Sequence, residues 1–189
     1  MKRIAITGGI GSGKSYICKS LENRGIHVYD CDLAAKRLIH SSEIIIRTLI
    51  ELVGDNVYNS EGHLNKDVLA RYILASTSQK QAVNDIVHPI VAQDFLQSGC
   101  NWLESAILFD SGFEKRVDFD KIICVTAPLE VRLERIMKRD NISKDMALQW
   151  IQTQLSQEEI RQRSNFEIVN DGHEDIEKQI TNIIHIINT

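Results

Sequence analysis

Eight residues near the start of the chain, Gly8-Gly9-Ile10-Gly11-Ser12-Gly13-Lys14-Ser15, satisfy G-x-x-x-x-G-K-[ST]. The chemistry of that pattern is anion binding. Its glycines adopt positive φ and bring backbone N–H groups up against phosphate oxygens. The lysine bridges the β- and γ-phosphates of a nucleoside triphosphate, and the hydroxyl after it ligates Mg2+. The alternative is a chance match in a glycine-rich turn. Context weighs against chance: the apolar run Ile4-Ala5-Ile6-Thr7 precedes the pattern, and a helical pattern over 14–23 follows, its positive dipole end facing the same anion. The residues expected to hold the nucleotide are Gly9, Ile10, Gly11, Ser12, Gly13, Lys14, Ser15 and Tyr16, with Ser15 on the metal.

Carboxylates come next. In "VYDCDLAAKRL", Asp30 and Asp32 follow the second strand-like run. The carboxyl ends of neighbouring parallel strands share one rim, so both acids can stand near phosphates cradled after the first strand. A carboxylate there can accept the proton of an attacking hydroxyl, and a second can support the metal's water shell. The competing reading makes Asp32 the N-cap of a helix beginning at Leu33. Ala106-Ile107-Leu108-Phe109-Asp110 reads as an apolar strand ending in an acid that supports the metal, or else in a simple turn residue. Arg132, Arg135 and Arg139 recur at i, i+3 and i+7 on one helix face. Guanidinium groups suit polyphosphate because they fork to two oxygens; the plainer reading is a solvated basic face.

A GTPase-type switch fits poorly. It needs N-K-x-D and D-x-x-G; the chain has Asn65-Lys66-Asp67-Val68, with the aspartate one place early, and no D-x-x-G. A phosphotransferase fits better. Transfer to a phosphate acceptor would need clamping arginines, yet between the second and third strands there are only Arg37, Arg47 and Arg71. An alcohol acceptor with Asp32 as base is preferred, and a monophosphate or other small-metabolite kinase is the alternative.

These groups need a frame. Strand patterns fall at 3–7, 27–29, 105–109, 121–126 and 166–169, alternating with amphipathic helices, which predicts a parallel sheet covered on both faces. Ile176, Ile180, Ile183, Ile184 and Ile187 share one face of a C-terminal helix. Between the second and third strands lie roughly 70 residues without a strand signal, too many for a simple crossover. They read as helices over 34–40, 42–53, 66–74 and 79–97, either a substrate-binding insertion or a helical elaboration without a ligand. The polar helical stretch after Arg139, carrying Arg161 and Arg163, reads as a lid that excludes water.

At 189 residues, one domain with an insertion is the expected organisation. A net charge of −4 disfavours nucleic acid and membrane surfaces as partners, leaving small-molecule substrates. No apolar run is long enough for a signal peptide or membrane span, so a cytoplasmic protein is expected. Cys18, Cys31, Cys100 and Cys124 form no C-x-x-C pair and read as reduced thiols.

Taken together, the motifs resemble the dephospho-CoA kinase family over almost the whole chain. The likeness rests on "ITGGIGSGKS", the D-x-D of Asp30 and Asp32, "DIVHPIV" with His88-Pro89, "ILFDSGFE", "RIMKRD" with Arg139, Gln154, and "VNDG" with Asn170. The resemblance implies a three-layer α/β P-loop kinase fold with a five-stranded parallel sheet, a helical CoA-binding insertion over 33–98 and a lid over 139–165. It implies that Lys14 contacts the ATP phosphates, that Asp32 is the base and binds the substrate, and that Arg139 stabilises the transferred phosphoryl group. Asn170 would join the ATP site and the segment around His88 would line the acceptor's pocket. The implied reaction phosphorylates the ribose 3′-hydroxyl of dephospho-CoA with ATP and Mg2+. The family's D-x-P-L-L-F-E is here Glu104-Ser105-Ala106-Ile107-Leu108-Phe109-Asp110, so Glu104 and Asp110 receive no role.

Overall fold

The sheet is built around its most apolar strand. β1 (Ile4–Thr7) is buried at every position, as a parallel strand covered on both faces must be. In the computed structural model, which describes residues 2–189, β3 (Trp102–Glu104) and β4 (Lys121–Thr126) flank it. β2 (Val28–Asp30) lies beyond β3, and β5 (Phe166–Val169) beyond β4, giving a five-stranded parallel sheet in the order β2-β3-β1-β4-β5. Ile6 stands level with Glu104 on one side and Ile123 on the other. The carboxyl ends of β1, β3 and β4 therefore open onto one rim, where an α/β sheet places its ligands.

Helices close the faces. α1 (Lys14–Asn23) and α9 (Ile176–Asn188) cover one side, where Ile17, Leu21, Ile180, Ile183 and Ile187 pack with Ile4, Ile6, Ile123, Val125 and Ile168. The isoleucine face expected at the C-terminus is this contact, with Ile176 and Ile184 packed at its margin. Glu177 ties the two helices at the surface, accepting from the Ser20 hydroxyl (2.6 Å) and from Arg24 (2.5 Å). α6 (Leu129–Asp140) packs against α7 (Lys144–Gln152) through Leu133, Ile136 and Ala147. α8 (Gln157–Gln162) begins with a capping box between Ser156 and Glu159.

The third strand is not where the apolar run placed it. Residues 105–109 were expected to be the strand, but pairing with β1 stops at Glu104. The chain then turns, with the Ser111 N–H donating to the Ile107 carbonyl (2.9 Å) and the Phe113 N–H to the Leu108 carbonyl (3.0 Å). Leu108, Phe109 and Phe113 are buried by this winding, and a short buried apolar run carries no periodicity that separates a strand from a coiled segment. Asp110 is accordingly a turn residue and does not end a strand.

The chain divides into two compact units, one of residues up to Tyr29 with Cys100–Thr189, the other Asp30–Gly99. The second is helical: α2 (Cys31–Ser41), α3 (Glu43–Val53), α4 (Lys66–Ala75) and α5 (Thr77–Gln97). Ser42, Asn65 and Ser76 cap the last three, each side chain accepting a backbone N–H of the first turn. Leu38, Ile45, Leu49, Leu69, Val87 and Phe95 form the unit's buried interior, and Arg37 pairs with Asp94 at 2.6 Å. α5 runs through Pro89 without ending there.

Candidate active site

The glycine-rich segment joins β1 to α1 on the rim of the sheet. Gly13 has φ +92°, a left-handed conformation that caps α1 and that other residues adopt only with strain. A Cβ there would overlap the side-chain amide of Asn170. Among the described residues, the N–H groups of Gly11, Gly13 and Ser15 donate to no protein acceptor. The hydroxyl of Ser12, wholly buried in the same loop, also lacks a protein partner. Groups of this kind are satisfied by water or by a ligand. Three donors and a buried hydroxyl around the N-terminus of a ten-residue helix make an anion cradle.

Lys14 is 8% exposed and donates from Nζ to the Gly8 carbonyl at 2.9 Å. Its Nζ lies 3.8 Å from Glu104 Oε1. The acid at the end of β3 is thus Glu104, set beside the lysine by the pairing of β3 with β1. Glu104 has no role in the sequence reading because its segment departs from the family's D-x-P-L-L-F-E pattern, and the expected strand begins one residue after it. The usable signal was Trp102-Leu103-Glu104, an apolar pair ending in an acid ahead of the longer run.

The arginine face divides. Arg132, 6% exposed, donates from Nε to the Ile10 carbonyl at 2.9 Å. Arg135 donates from Nη1 to the Ser12 carbonyl (3.2 Å) and from Nη2 to Asn170 Oδ1 (3.1 Å). Asn170 Nδ2 in turn donates to the Ser12 carbonyl at 2.9 Å. These side chains hold the loop's carbonyl oxygens, behind its free N–H groups. Arg139 is not with them; it sits at the far end of α6 in an exposed pair with Asp140 at 2.7 Å, a bond that raises its pKa and holds that of Asp140 below the usual carboxylate range.

The segment joining α7 to α8 also reaches the loop. Gln154 Oε1 accepts the Ile10 N–H at 2.7 Å, and Asp110 Oδ1 accepts the Leu155 N–H at 2.7 Å. Arg163 pairs with Glu114 (2.7 Å) and lies 4.1 Å over the Phe109 ring. The turn that replaced the expected strand is therefore the anchor for the chain leaving α7.

Other expected residues lie as follows. Ser15 is exposed in the first turn of α1, and no hydrogen bond is made by its side chain among the described residues. Tyr16 beside it is 58% exposed. In the helical unit, α2 starts at Cys31 and Asp30 is its cap, accepting the Leu33 N–H at 2.9 Å. The capping reading of Asp32 is therefore corrected: its carboxylate is exposed in the first turn, without a hydrogen bond or ion pair among the described residues. His88 lies partly buried inside α5. No group of three or more His, Cys, Asp or Glu could hold a metal among the described residues.

Known proteins resemble the chain in sequence and in fold. Residues 2–175 match the family model described as "CoaE: Dephospho-CoA kinase". A dephospho-CoA kinase of Bacteroides fragilis is 42% identical over 96% of this chain and 91% of its own length. The crystal structure of TT1252 from Thermus thermophilus superposes with a TM-score of 0.84 at 29% identity, covering 100% of this chain and 98% of that one. A dephospho-CoA kinase from Campylobacter jejuni shares the fold with a TM-score of 0.67 at 21% identity, covering 99% of this chain and 98% of that one. With the family model spanning most of the chain and a close relative matched nearly end to end, the chain belongs to the dephospho-CoA kinase family.

Proposed function

We infer that the chain transfers the γ-phosphoryl group of ATP to the ribose 3′-hydroxyl of dephospho-CoA, giving CoA and ADP in the last step of coenzyme A biosynthesis. The observation that carries the reading is the set of unpaired N–H groups at Gly11, Gly13 and Ser15, converging with the start of α1. Residues 9–16 bind the ATP phosphates, Lys14 exchanging its contact with the Gly8 carbonyl for the β- and γ-phosphate oxygens. Asn170, bonded to the Ser12 carbonyl, supports the same site. Asp32 takes the proton of the 3′-hydroxyl as its oxygen attacks the γ-phosphorus and ADP leaves. Arg139 leaves its exposed pair with Asp140 to neutralise the transferred group, and the helix around His88 contributes to the acceptor's site.

The residues present fit Mg2+ carried in by the nucleotide. Such an ion takes one or two protein oxygens and keeps water and phosphate oxygens for the rest; the exposed Ser15 hydroxyl supplies one. Bound there, it neutralises phosphate charge. Between β2 and β3 only Arg37, Arg47 and Arg71 are available to clamp an acceptor phosphate, and so sparse a set favours an alcohol over a monophosphate. A reaction drawing on ATP suits the cytoplasm; among the described residues no helix is long and apolar enough to cross a membrane. The test is ADP release, measured by a coupled assay with dephospho-CoA, AMP, CMP or a simple sugar as acceptor. Release only with dephospho-CoA is expected, and faster release with a monophosphate would overturn the assignment.

A further inference from the structure

An anion cradle places opposite demands on its two sides. For N–H groups to converge on phosphate, the carbonyl oxygens of the same peptides must point away, where they need donors of their own. Behind Gly11 and Ser12 that need is met by Arg135 and Asn170. Behind Ile10 it is met by Arg132, whose Nε donates at 2.9 Å, while Gln154 holds the N–H of the same residue at 2.7 Å. The guanidinium of Arg132 lies directly against Gly9, where a Cβ would overlap Nη2.

Arg132 is also a buried cation without a counter-ion. It is 6% exposed, and no carboxylate pairs with it among the described residues. Its single hydrogen bond is to a neutral carbonyl. Burial without an anion pushes its pKa down, a situation that proteins avoid unless an opposite charge arrives. Polyphosphate bound in the loop would supply that charge, acting through one layer of backbone in a medium less polar than water.

We propose that Arg132 is a positioning residue for the ATP phosphates: it locks the Ile10 peptide in the phosphate-accepting form of the loop and sets a buried positive charge behind the cradle. This rests on the reading of the loop as the ATP site. A solvent-side arginine would show neither the burial nor the fit against Gly9.

The experiment compares the unaltered protein with Arg132→Met and Arg132→Lys, using calorimetric binding of inorganic tripolyphosphate and of ATP, KM for each substrate, and the unfolding midpoint without ligand. Arg132→Met should weaken tripolyphosphate and ATP at least about tenfold, the worth of one charge-assisted hydrogen bond. KM for dephospho-CoA should stay within about twofold, and the midpoint within about 3 °C, because an unpaired buried charge leaves with the bond. Arg132→Lys, which keeps the charge and a donor, should recover part of the lost affinity. If Arg132→Met does not fold, Arg132→Gln carries the same comparison. Unchanged tripolyphosphate binding, equal losses for both substrates with a lowered midpoint, or no recovery in Arg132→Lys would overturn the proposal. Failure of the unaltered protein to bind ATP at all would overturn the ATP reading first and this inference with it.

Discussion

Replacing Gly13 by alanine tests the loop's geometry in a way that separates backbone strain from side-chain crowding. Gly13 holds φ +92°, and an L-residue in that region is strained by about 1–2 kcal/mol. The new Cβ would also overlap the Asn170 amide. Moving that amide breaks its 2.9 Å bond to the Ser12 carbonyl, worth about 1 kcal/mol net. Gly13→Ala should therefore cost about 2–3 kcal/mol. Asn170→Ala removes the same bond together with the 3.1 Å bond from Arg135, for about 2–4 kcal/mol. In the double variant there is no amide left to displace, so only the backbone strain adds to the Asn170→Ala loss. The combined loss should fall short of the sum by about 1 kcal/mol, outside the roughly 0.5 kcal/mol within which independent sites add. Urea unfolding followed by Trp102 and Trp150 fluorescence measures all three. Strict additivity would show that Gly13 and Asn170 do not meet, and the loop's support would need redrawing.

Two further outcomes follow from other parts of the molecule. Since Asp30 caps α2 and Asp32 does not, Asp32→Asn should lower kcat by about 10²–10⁴, the usual worth of a general base, without shifting the unfolding midpoint or ATP affinity; a stability loss with unchanged kcat would return Asp32 to a structural part. Glu177 is held below the usual carboxylate range by the Ser20 hydroxyl first and Arg24 second. A lowered folded-state pKa gives stability that is present above the unfolded value and lost as pH falls through the lowered one. Glu177→Gln should thus be less stable than the unaltered protein near neutrality, with the gap closing as pH falls below the usual carboxylate range; a gap independent of pH would count against the pairing.

Much of the fold could be read locally, and the exceptions share a cause. The strand-loop-helix unit around Gly8 to Ser15 and the isoleucine face of α9 each depend on residues within a few positions, so propensity and spacing suffice. The run 106–109 failed because its partner was tertiary. Trp102 to Glu104 are the residues that meet β1, and the longer apolar run was free to wind into the core instead. The competing reading of Asp32 as a cap rests on Asp being a favoured cap type, but the helix starts at Cys31 and not at Leu33, and a boundary two residues off exchanges the two acids' roles.

The sequence by itself determined that a phosphate-binding loop joins the first strand to the first helix, that a parallel sheet carries it, and which family those motifs resemble. Tertiary structure alone decided which groups surround the loop. Arg132, Arg135 and Arg139 are equivalent by helical spacing, yet two of them hold loop carbonyls and the third pairs with Asp140 in solvent. Spacing states which side of a helix a residue occupies, not what lies opposite each turn of it. Only the packing of α6 against the loop, more than 120 residues apart in the chain, settles which guanidinium finds a carbonyl and which finds water.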